Sequence, residues 1–457
     1  MKASNRGALF DRWLASGREV AVVGLGKSGL SATLLLRSLG IPVYASDSGE
    51  GSHFEAWART LREAGAEVEL GGHDFQRIAR SAAVVVAPGV PPNVPALQAA
   101  RDAGLDIHAE VDIGFLALRG TRCIGITGTN GKTTTTSLIS HVLASSGLRA
   151  KTAGNIGRPL CEVARSSNPP DWVALELSSF QLHDAPNLKP AMGVLTNLAP
   201  NHLDRYATLD DYYGDKALLF GNADAASFWV TNADDAAVEA MTRSVPGTRM
   251  RFSISSRADA WYDRAGSRLM LGDTAVLRRT ELPLLGDHNV ANALAAILVA
   301  SRAGCPSERV AEGLRSFRAI PHRVEPVREV NGVLWINDSK STNITSTEVA
   351  VAALDRKFVL LLGGRHKGEP YTRLADPLRE RCRAVIAYGE AGPLIVQDLS
   401  SSLKVVPADS FEDVLATARE LARPGDAVLL SPACSSYDMF RNYEERGDRF
   451  RAAVESL

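Results

Sequence analysis

The chain has 457 residues, with 51 Lys and Arg against 52 Asp and Glu, a formal net charge of −1. So small a charge offers no electrostatic draw to nucleic acid or anionic lipid, and neither partner is expected. Hydrophobic residues at 45% and charged residues at 23% point to packed globular domains and exclude wholesale disorder.

No run of about 18 apolar residues occurs, so no membrane span is expected. The first twenty residues hold no apolar stretch of signal-peptide length. The five cysteines are odd in number and form no C-x-x-C. A disulfide framework and a cysteine zinc site are both disfavoured, and a cytoplasmic location is expected.

In chain order, strand-like Glu19–Val23 precedes a helical stretch at Leu30–Leu39, Ala82–Ala87 precedes Pro95–Ala103, and Cys123–Thr127 precedes Thr134–Ser146. Trp172–Leu177 and Met192–Leu195 follow. Trp335–Asn337 then leads into Ser346–Leu354, with Phe358–Leu362, Ala384–Ala387 and Ala427–Leu430 beyond. Short apolar strands alternating with helices indicate parallel sheets with helical crossovers, an α/β class. Seams are expected near Glu110–Arg122 and near Ala319–Arg323, where a helix should stop ahead of Pro321. The expectation is three α/β domains, at residues 1–112, 113–319 and 320–457.

Gly24-Leu25-Gly26-Lys27-Ser28-Gly29 after the strand EVAVV satisfies G-x-G-x-x-G, and Asp47 sits about where a ribose-binding acid would. The pattern supports a nucleotide or sugar-diphosphate site, with a purely structural turn as the alternative. A second glycine loop, Gly128-Thr129-Asn130-Gly131-Lys132-Thr133-Thr134, also joins a strand to a helix. Backbone N–H groups and the helix dipole can hold phosphates there. Lys132 would neutralise the β/γ-phosphates and Thr133 could carry Mg²⁺. The strict phosphate-loop pattern fails, because Ile126 stands at its first glycine.

The form GTNGKT resembles that of the Mur ligases and their folylpolyglutamate synthase relatives, ATP-dependent enzymes that join an amino acid to a carboxylate. Further segments resemble the D-glutamate-adding branch of the Mur ligases. They are Glu176-Leu177-Ser178-Ser179-Phe180-Gln181, Asn197 through His202-Leu203-Asp204-Arg205, and Asn337-Asp338-Ser339-Lys340-Ser341-Thr342-Asn343. Ser431-Pro432-Ala433-Cys434-Ser435-Ser436 and Asn442-Tyr443-x-x-Arg446-Gly447 complete the set. Read alone, Glu176 could be a solvated strand end, His202 a structural histidine, and Lys216 a surface lysine.

The resemblance spans the whole chain and implies a Rossmann-like N-terminal domain for a uridine nucleotide, a central phosphate-loop ATPase-type domain, and a Rossmann-like C-terminal domain for the amino acid. It implies ligation of D-glutamate to UDP-N-acetylmuramoyl-L-alanine through an acyl phosphate, yielding ADP and phosphate, in peptidoglycan synthesis. Lys132, Glu176, His202 and Lys216 would carry catalysis. Two Mg²⁺ would be held by Thr133, Glu176, His202 and a carbamate on Lys216. ATP would meet Gly128, Asn130, Gly131, Lys132, Thr133, Thr134, Asn289, Asn292, Arg323 and Asp338. The sugar nucleotide would meet Gly26, Lys27, Ser28, Asp47, Ser48, Gly89, Asn155 and Ser178. D-Glutamate would meet Lys340, Thr342, Lys367, Ser436 and Tyr443. A monomer acting on small molecules is implied.

Two departures stand out. Arg365 and His366 occupy Gly363-Gly364-x-x-Lys367, where relatives often have an Asp, and Ser48-Gly49 lacks an arginine some relatives carry. The rival readings are a folylpolyglutamate synthase, an NAD-dependent oxidoreductase built on Gly24–Gly29 and Asp47, and a non-catalytic nucleotide-binding module. The first does not account for the N-terminal glycine loop, the second for the loop at Lys132, and the third for Lys132, Glu176 and His202 together.

Overall fold

The computed structural model describes residues 7–201 and 205–457. Three sheets form its framework. In the first, β1 (Val20–Val23), β2 (Val43–Asp47), β3 (Glu67–Leu70), β4 (Ala83–Val86) and β5 (Ile107–Ala109) run parallel in the order β3-β2-β1-β4-β5. Strands such as Val-Ala-Val-Val are buried along their whole length, as a parallel sheet covered on both faces requires. The order reverses direction at β1, which places the Gly24–Gly29 turn where such sheets bind ligands.

The second sheet holds β6 (Arg122–Thr127), β7 (Ala150–Gly154), β8 (Trp172–Glu176), β9 (Met192–Leu195) and β10 (Phe228–Asn232). It continues through β11 (Thr248–Ser253), β12 (Ala260–Asp263), β13 (Arg268–Leu271) and β14 (Thr274–Arg278). Its order is β14-β13-β12-β11-β10-β9-β6-β8-β7, so β6 lies between β9 and β8. The third sheet holds β15 (Glu325–Val330), β16 (Val333–Asn337), β17 (Phe358–Gly363), β18 (Cys382–Tyr388), β19 (Val405–Ala408) and β20 (Ala427–Leu430), in the order β15-β16-β20-β17-β18-β19.

Parallel pairing holds through most of the chain, with two corrections. The β12-β13-β14 pairs and the β15-β16 pair are antiparallel. Tight turns such as Gly272 at φ +56° and Gly332 at φ +76° permit these direct reversals without a crossover helix.

The chain divides into two compact units, Met1–Arg279 with Ala291–Arg315, and Thr280–Val290 with Ser316–Leu457. The seam expected near Glu110–Arg122 is filled by a buried helix, Glu110–Ala117. That helix is buried from Glu110 through Leu116, the mark of an element enclosed by protein. Ile113 and Leu116 pack into the core around β1, while Val111 and Phe115 pack into the core around β8. One short helix therefore belongs to both cores and joins the first two sheets into one unit.

Two buried carboxylates sit on this helix. Asp112 accepts from His108 Nδ1 at 2.9 Å, from Asn187 N at 2.9 Å and from Asn187 Nδ2 at 2.8 Å. Glu110 accepts the Cys161 amide at 2.6 Å through Oε1, and its buried Oε2 has no hydrogen-bond partner among the described residues. Burial pushes the Glu110 carboxyl up to about 7, against the Cys161 N–H bond that favours the charged form. The folded state therefore binds a proton that the unfolded chain has released between about pH 4.5 and 7, and stability falls as pH rises through that window.

Glu110→Gln should thus stabilise the protein at pH 8 by on the order of 2 kcal/mol and have little effect near pH 4.5. Denaturant unfolding at the two pH values checks this, and an equal effect at both would contradict the assignment.

Candidate active site

The phosphate loop lies at the carboxyl end of β6, between the ends of β8 and β9. Gly128 has φ +144°, and a Cβ there would fall onto the Thr196 hydroxyl. Gly131 caps helix Lys132–Ser145 with φ +79°, and its Cβ would stand 2.6 Å from Asn292 Oδ1. Both glycines are imposed by backbone conformation and close packing.

The chain after β9 fixes this loop. Asn197 Oδ1 accepts Asn130 N at 2.8 Å, Asn197 O accepts Thr129 N at 2.9 Å, and Asn197 Nδ2 donates to Asn130 O at 3.0 Å. Thr196 Oγ1 adds a bond to Asn130 O at 2.7 Å. Thr133 and Thr134 follow in the first helical turn, half-buried. Asn292 Oδ1 accepts the Thr135 hydroxyl at 3.0 Å, which places that asparagine against the loop. Asn289, one turn earlier on helix Asp287–Arg302, donates its amide to Leu285 O at 2.8 Å.

Two lysines converge on the loop carbonyls. Lys132 Nζ donates to Gly128 O at 2.9 Å and to Thr129 O at 2.8 Å. Lys216, 1% exposed on helix Leu209–Ala217, donates to the same Gly128 O at 2.8 Å and lies 4.5 Å from the Tyr212 ring centroid. Glu176 ends β8 opposite Ile126 and is 2% exposed. Asn155 Nδ2 donates to its Oε1 at 2.8 Å, while Oε2 is buried and has no partner among the described residues. A buried carboxylate oxygen without a donor fits a cation ligand. His202, the remaining expected ligand, lies outside the described residues.

At the carboxyl end of β1, Asp47 holds the N-terminal glycine turn. Its Oδ2 accepts Leu25 N at 2.6 Å and its Oδ1 accepts Gly49 N at 2.7 Å. A Cβ on Gly29 would overlap the Gly24 carbonyl, so that glycine serves packing. A Cβ on Gly26 or on Gly89 would meet nothing within 4 Å, and the space beside both is open to a ligand. Lys27, Ser48 and Gly89 are exposed and Ser28 is half-buried. Ser178 caps helix Ser179–His183 through a reciprocal pair with Gln181.

In the other unit, three loops leave the carboxyl ends of the adjacent strands β16, β20 and β17. Lys340 Nζ donates to Tyr443 OH at 2.8 Å, and Lys367 Nζ to Thr342 Oγ1 at 3.3 Å. Ser436 is buried on the β20 loop. Arg446, fully buried, ties two of these loops together. It donates to Ser339 Oγ at 2.9 Å, to Ser339 O at 2.8 Å, and to Cys434 O at 3.2 Å from Nη2.

Asp338 accepts Val324 N at 3.0 Å and the hydroxyls of Ser341 and Ser431, and burial pushes its carboxyl up to about 6. Those bonds hold Arg323 between His322 at φ +64° and Val324 at φ +42°, a strained backbone for both neighbours. Arg365 forks onto Glu390 with two 3.1 Å bonds and exchanges backbone bonds with Ser435, while His366 meets Tyr371 OH at 3.2 Å.

Three family models match successive parts of the chain. Residues 18–109 match the Mur ligase MurD-like N-terminal domain, residues 126–300 the Mur ligase middle domain, and residues 322–434 the Mur ligase glutamate ligase domain. A UDP-N-acetylmuramoylalanine–D-glutamate ligase of Myxococcus xanthus is 40% identical over 97% of this chain and 99% of its own length. The chain belongs to the Mur ligase family.

A ligase of the same name from Pelotomaculum thermopropionicum is 36% identical to this Mur ligase, over 96% of this chain and 98% of its own. Among solved structures, the UDP-N-acetylmuramate–alanine ligase of Thermotoga maritima shares the fold at a TM-score of 0.60 and 20% identity, covering 96% of this chain and 99% of its own. A Mur ligase from Acinetobacter baumannii does so at 0.59 and 15%, covering 91% of each chain.

Two features of this Mur ligase were not assigned from sequence. Asn197 locks the phosphate loop, a role that its place at the head of the Asn197–Arg205 segment did not reveal. The second is the condition of Lys216. Burial, aided by the nearby Lys132 charge, lowers its ammonium to about 6. It is neutral at pH 7 in the fold and charged in the unfolded chain. The unfolded state thus binds the extra proton between about pH 6 and 10.5, and stability rises with pH across that window.

In carbon dioxide-free buffer, Lys216→Met should raise the unfolding midpoint at pH 7 by on the order of a few degrees, and the gain should shrink at pH 10. A gain that grows with pH would contradict the assignment.

Proposed function

We propose that this Mur ligase joins D-glutamate to UDP-N-acetylmuramoyl-L-alanine at the expense of ATP, in peptidoglycan precursor synthesis. One observation carries the reading most of the way: a phosphate loop with Lys132 and Lys216 on its carbonyls, beside a buried Glu176 oxygen that lacks a partner among the described residues. The names and near-complete coverage of the curated relatives supply the substrates.

The chemistry follows from the leaving group. A carboxylate resists an amine because oxide leaves poorly. Transfer of the γ-phosphoryl breaks its bond to ADP and forms a bond to the substrate carboxylate oxygen, giving an acyl phosphate. The amine nitrogen of D-glutamate then attacks the acyl carbon, phosphate departs, and the nitrogen loses its proton. The loop N–H groups and Lys132 hold the phosphates and offset charge spreading over the transferred group. Magnesium, two ions in this reading, would be held by Thr133, Glu176, His202 and a carbamate on Lys216, and would supply positive charge against the phosphate oxygens. The neutral amine of Lys216 is the form that adds carbon dioxide, and its burial supports that modification.

Gly26, Lys27, Ser28, Asp47, Ser48, Gly89, Asn155 and Ser178 form the sugar-nucleotide side. Asn155 also steadies Glu176, and so links substrate to metal. ATP would lie along Gly128–Thr134 with Asn292. Lys340 and Lys367 present two ammonium groups, bonded to Tyr443 and Thr342, and with Ser436 on the β20 loop they make a set suited to a dicarboxylic amino acid. Each chain carries all of these residues, which suits a monomer. None of the five cysteines is in a disulfide, in keeping with the cytoplasm.

Phosphate release should require UDP-N-acetylmuramoyl-L-alanine and D-glutamate together, and L-glutamate should not replace the D-isomer. Lys132→Ala should lower turnover about 10³-fold. Lys340→Ala should raise the D-glutamate KM tenfold or more while the ATP KM stays near parental. Equal release with either isomer, or an unchanged KM, would contradict these roles.

A further inference from the structure

Asp215 stands immediately before Lys216 on helix Leu209–Ala217. One of its oxygens lies 2.8 Å from His183 Nδ1, and the other accepts the Tyr206 hydroxyl at 2.8 Å. His183 ends helix Ser179–His183, which starts three residues after Glu176. Tyr206 lies flat on Phe180 of that helix, with ring centroids 5.5 Å apart and planes at 10°. Arg205 brings its guanidinium to 4.9 Å from the Phe180 centroid.

One carboxylate thus ties together the helix that follows Glu176, the helix that carries Lys216, and the segment that ends at Tyr206. Asp215 is 14% exposed and His183 57% exposed, so solvent competes less for the part-buried Tyr206 bond than for the His183 bond. An oxygen ligand set for Mg²⁺ tolerates little error, with bond lengths near 2.0–2.1 Å and close to octahedral angles. Glu176 and Lys216 come from different elements, and their separation depends on what joins those elements.

We propose that Asp215 is a positioning residue: its bonds to His183 and Tyr206 set the spacing of Lys216 and Glu176, and through it the affinity of the site for a divalent cation. The inference deepens the metal reading of those two residues and rests on it. Partners that orient ligands without touching the ion typically govern ten- to hundredfold in metal affinity, roughly the scale expected here.

The test is Mn²⁺ binding to the full-length, ADP-bound protein in bicarbonate buffer, read from the electron paramagnetic resonance of the free ion. Asp215→Ala should weaken binding on the order of tenfold or more. Asp215→Asn keeps an oxygen for Tyr206 and offers an N–H to the other tautomer of His183, and should stay within about threefold of the parent. The double change His183→Ala with Tyr206→Phe leaves Asp215 in place but cuts the same bonds from the partner side. It should weaken Mn²⁺ as Asp215→Ala does, which keeps the test open if Asp215→Ala folds poorly. Parental affinity in Asp215→Ala or in the double variant overturns the proposal, as does an equal loss in Asp215→Asn. Parental affinity in Lys216→Ala would instead remove the metal reading beneath it.

Discussion

The carbonyl and amide groups of the phosphate loop are answered from the end of the neighbouring strand β9. Asn197 accepts from Asn130 and Thr129 and donates back to Asn130, and Thr196 adds a second donor. A loop that must leave its N–H groups turned toward a phosphate cannot satisfy its backbone within itself. The order β9-β6-β8 brings both supporting edges to it, and the Glu176 carboxylate, the Lys132 ammonium and the Lys216 amine take their places relative to that frame.

Burial of ionisable groups then divides the chain into sites that hold structure and sites that hold chemistry. Arg446 is enclosed with its donors spread over Ser339 and the Cys434 carbonyl, so its charge is dispersed among hydrogen bonds that bind two loops. Asp112 is met by three donors and acts as a bolt between elements. Glu176 and Lys216 differ from both. The carboxylate keeps an oxygen without a donor among the described residues, and burial lowers the lysine's ammonium at the cost of stability.

The two glycine loops and Lys132 stood out because each lies in a contiguous run whose chemistry depends on local spacing, whereas Glu176 and Lys216, read alone, had ordinary structural readings and drew notice only through the family resemblance. The parallel sheets were legible because strands buried on both faces read as unbroken apolar runs. Helix Glu110–Ala117, inside the expected seam, was not predicted, since a helix buried along almost its whole length shows no exposed polar face and hence no period. Strands β11 to β14 were missed because they are short and partly exposed, with charged residues such as Arg249, Arg251 and Arg268 among the apolar ones. Asp215 and Asn197 take their meaning from partners 32 and 67 residues away, a distance that only the folded topology closes.

The central claim is that ATP activates the sugar-nucleotide carboxylate before the amine arrives. The direct measurement uses UDP-N-acetylmuramoyl-L-alanine labelled with ¹⁸O in its free carboxyl group, ATP and D-glutamate. The orthophosphate released is then examined by mass spectrometry. Activation by phosphoryl transfer predicts one ¹⁸O per phosphate formed. Amide product accompanied by unlabelled phosphate would contradict it.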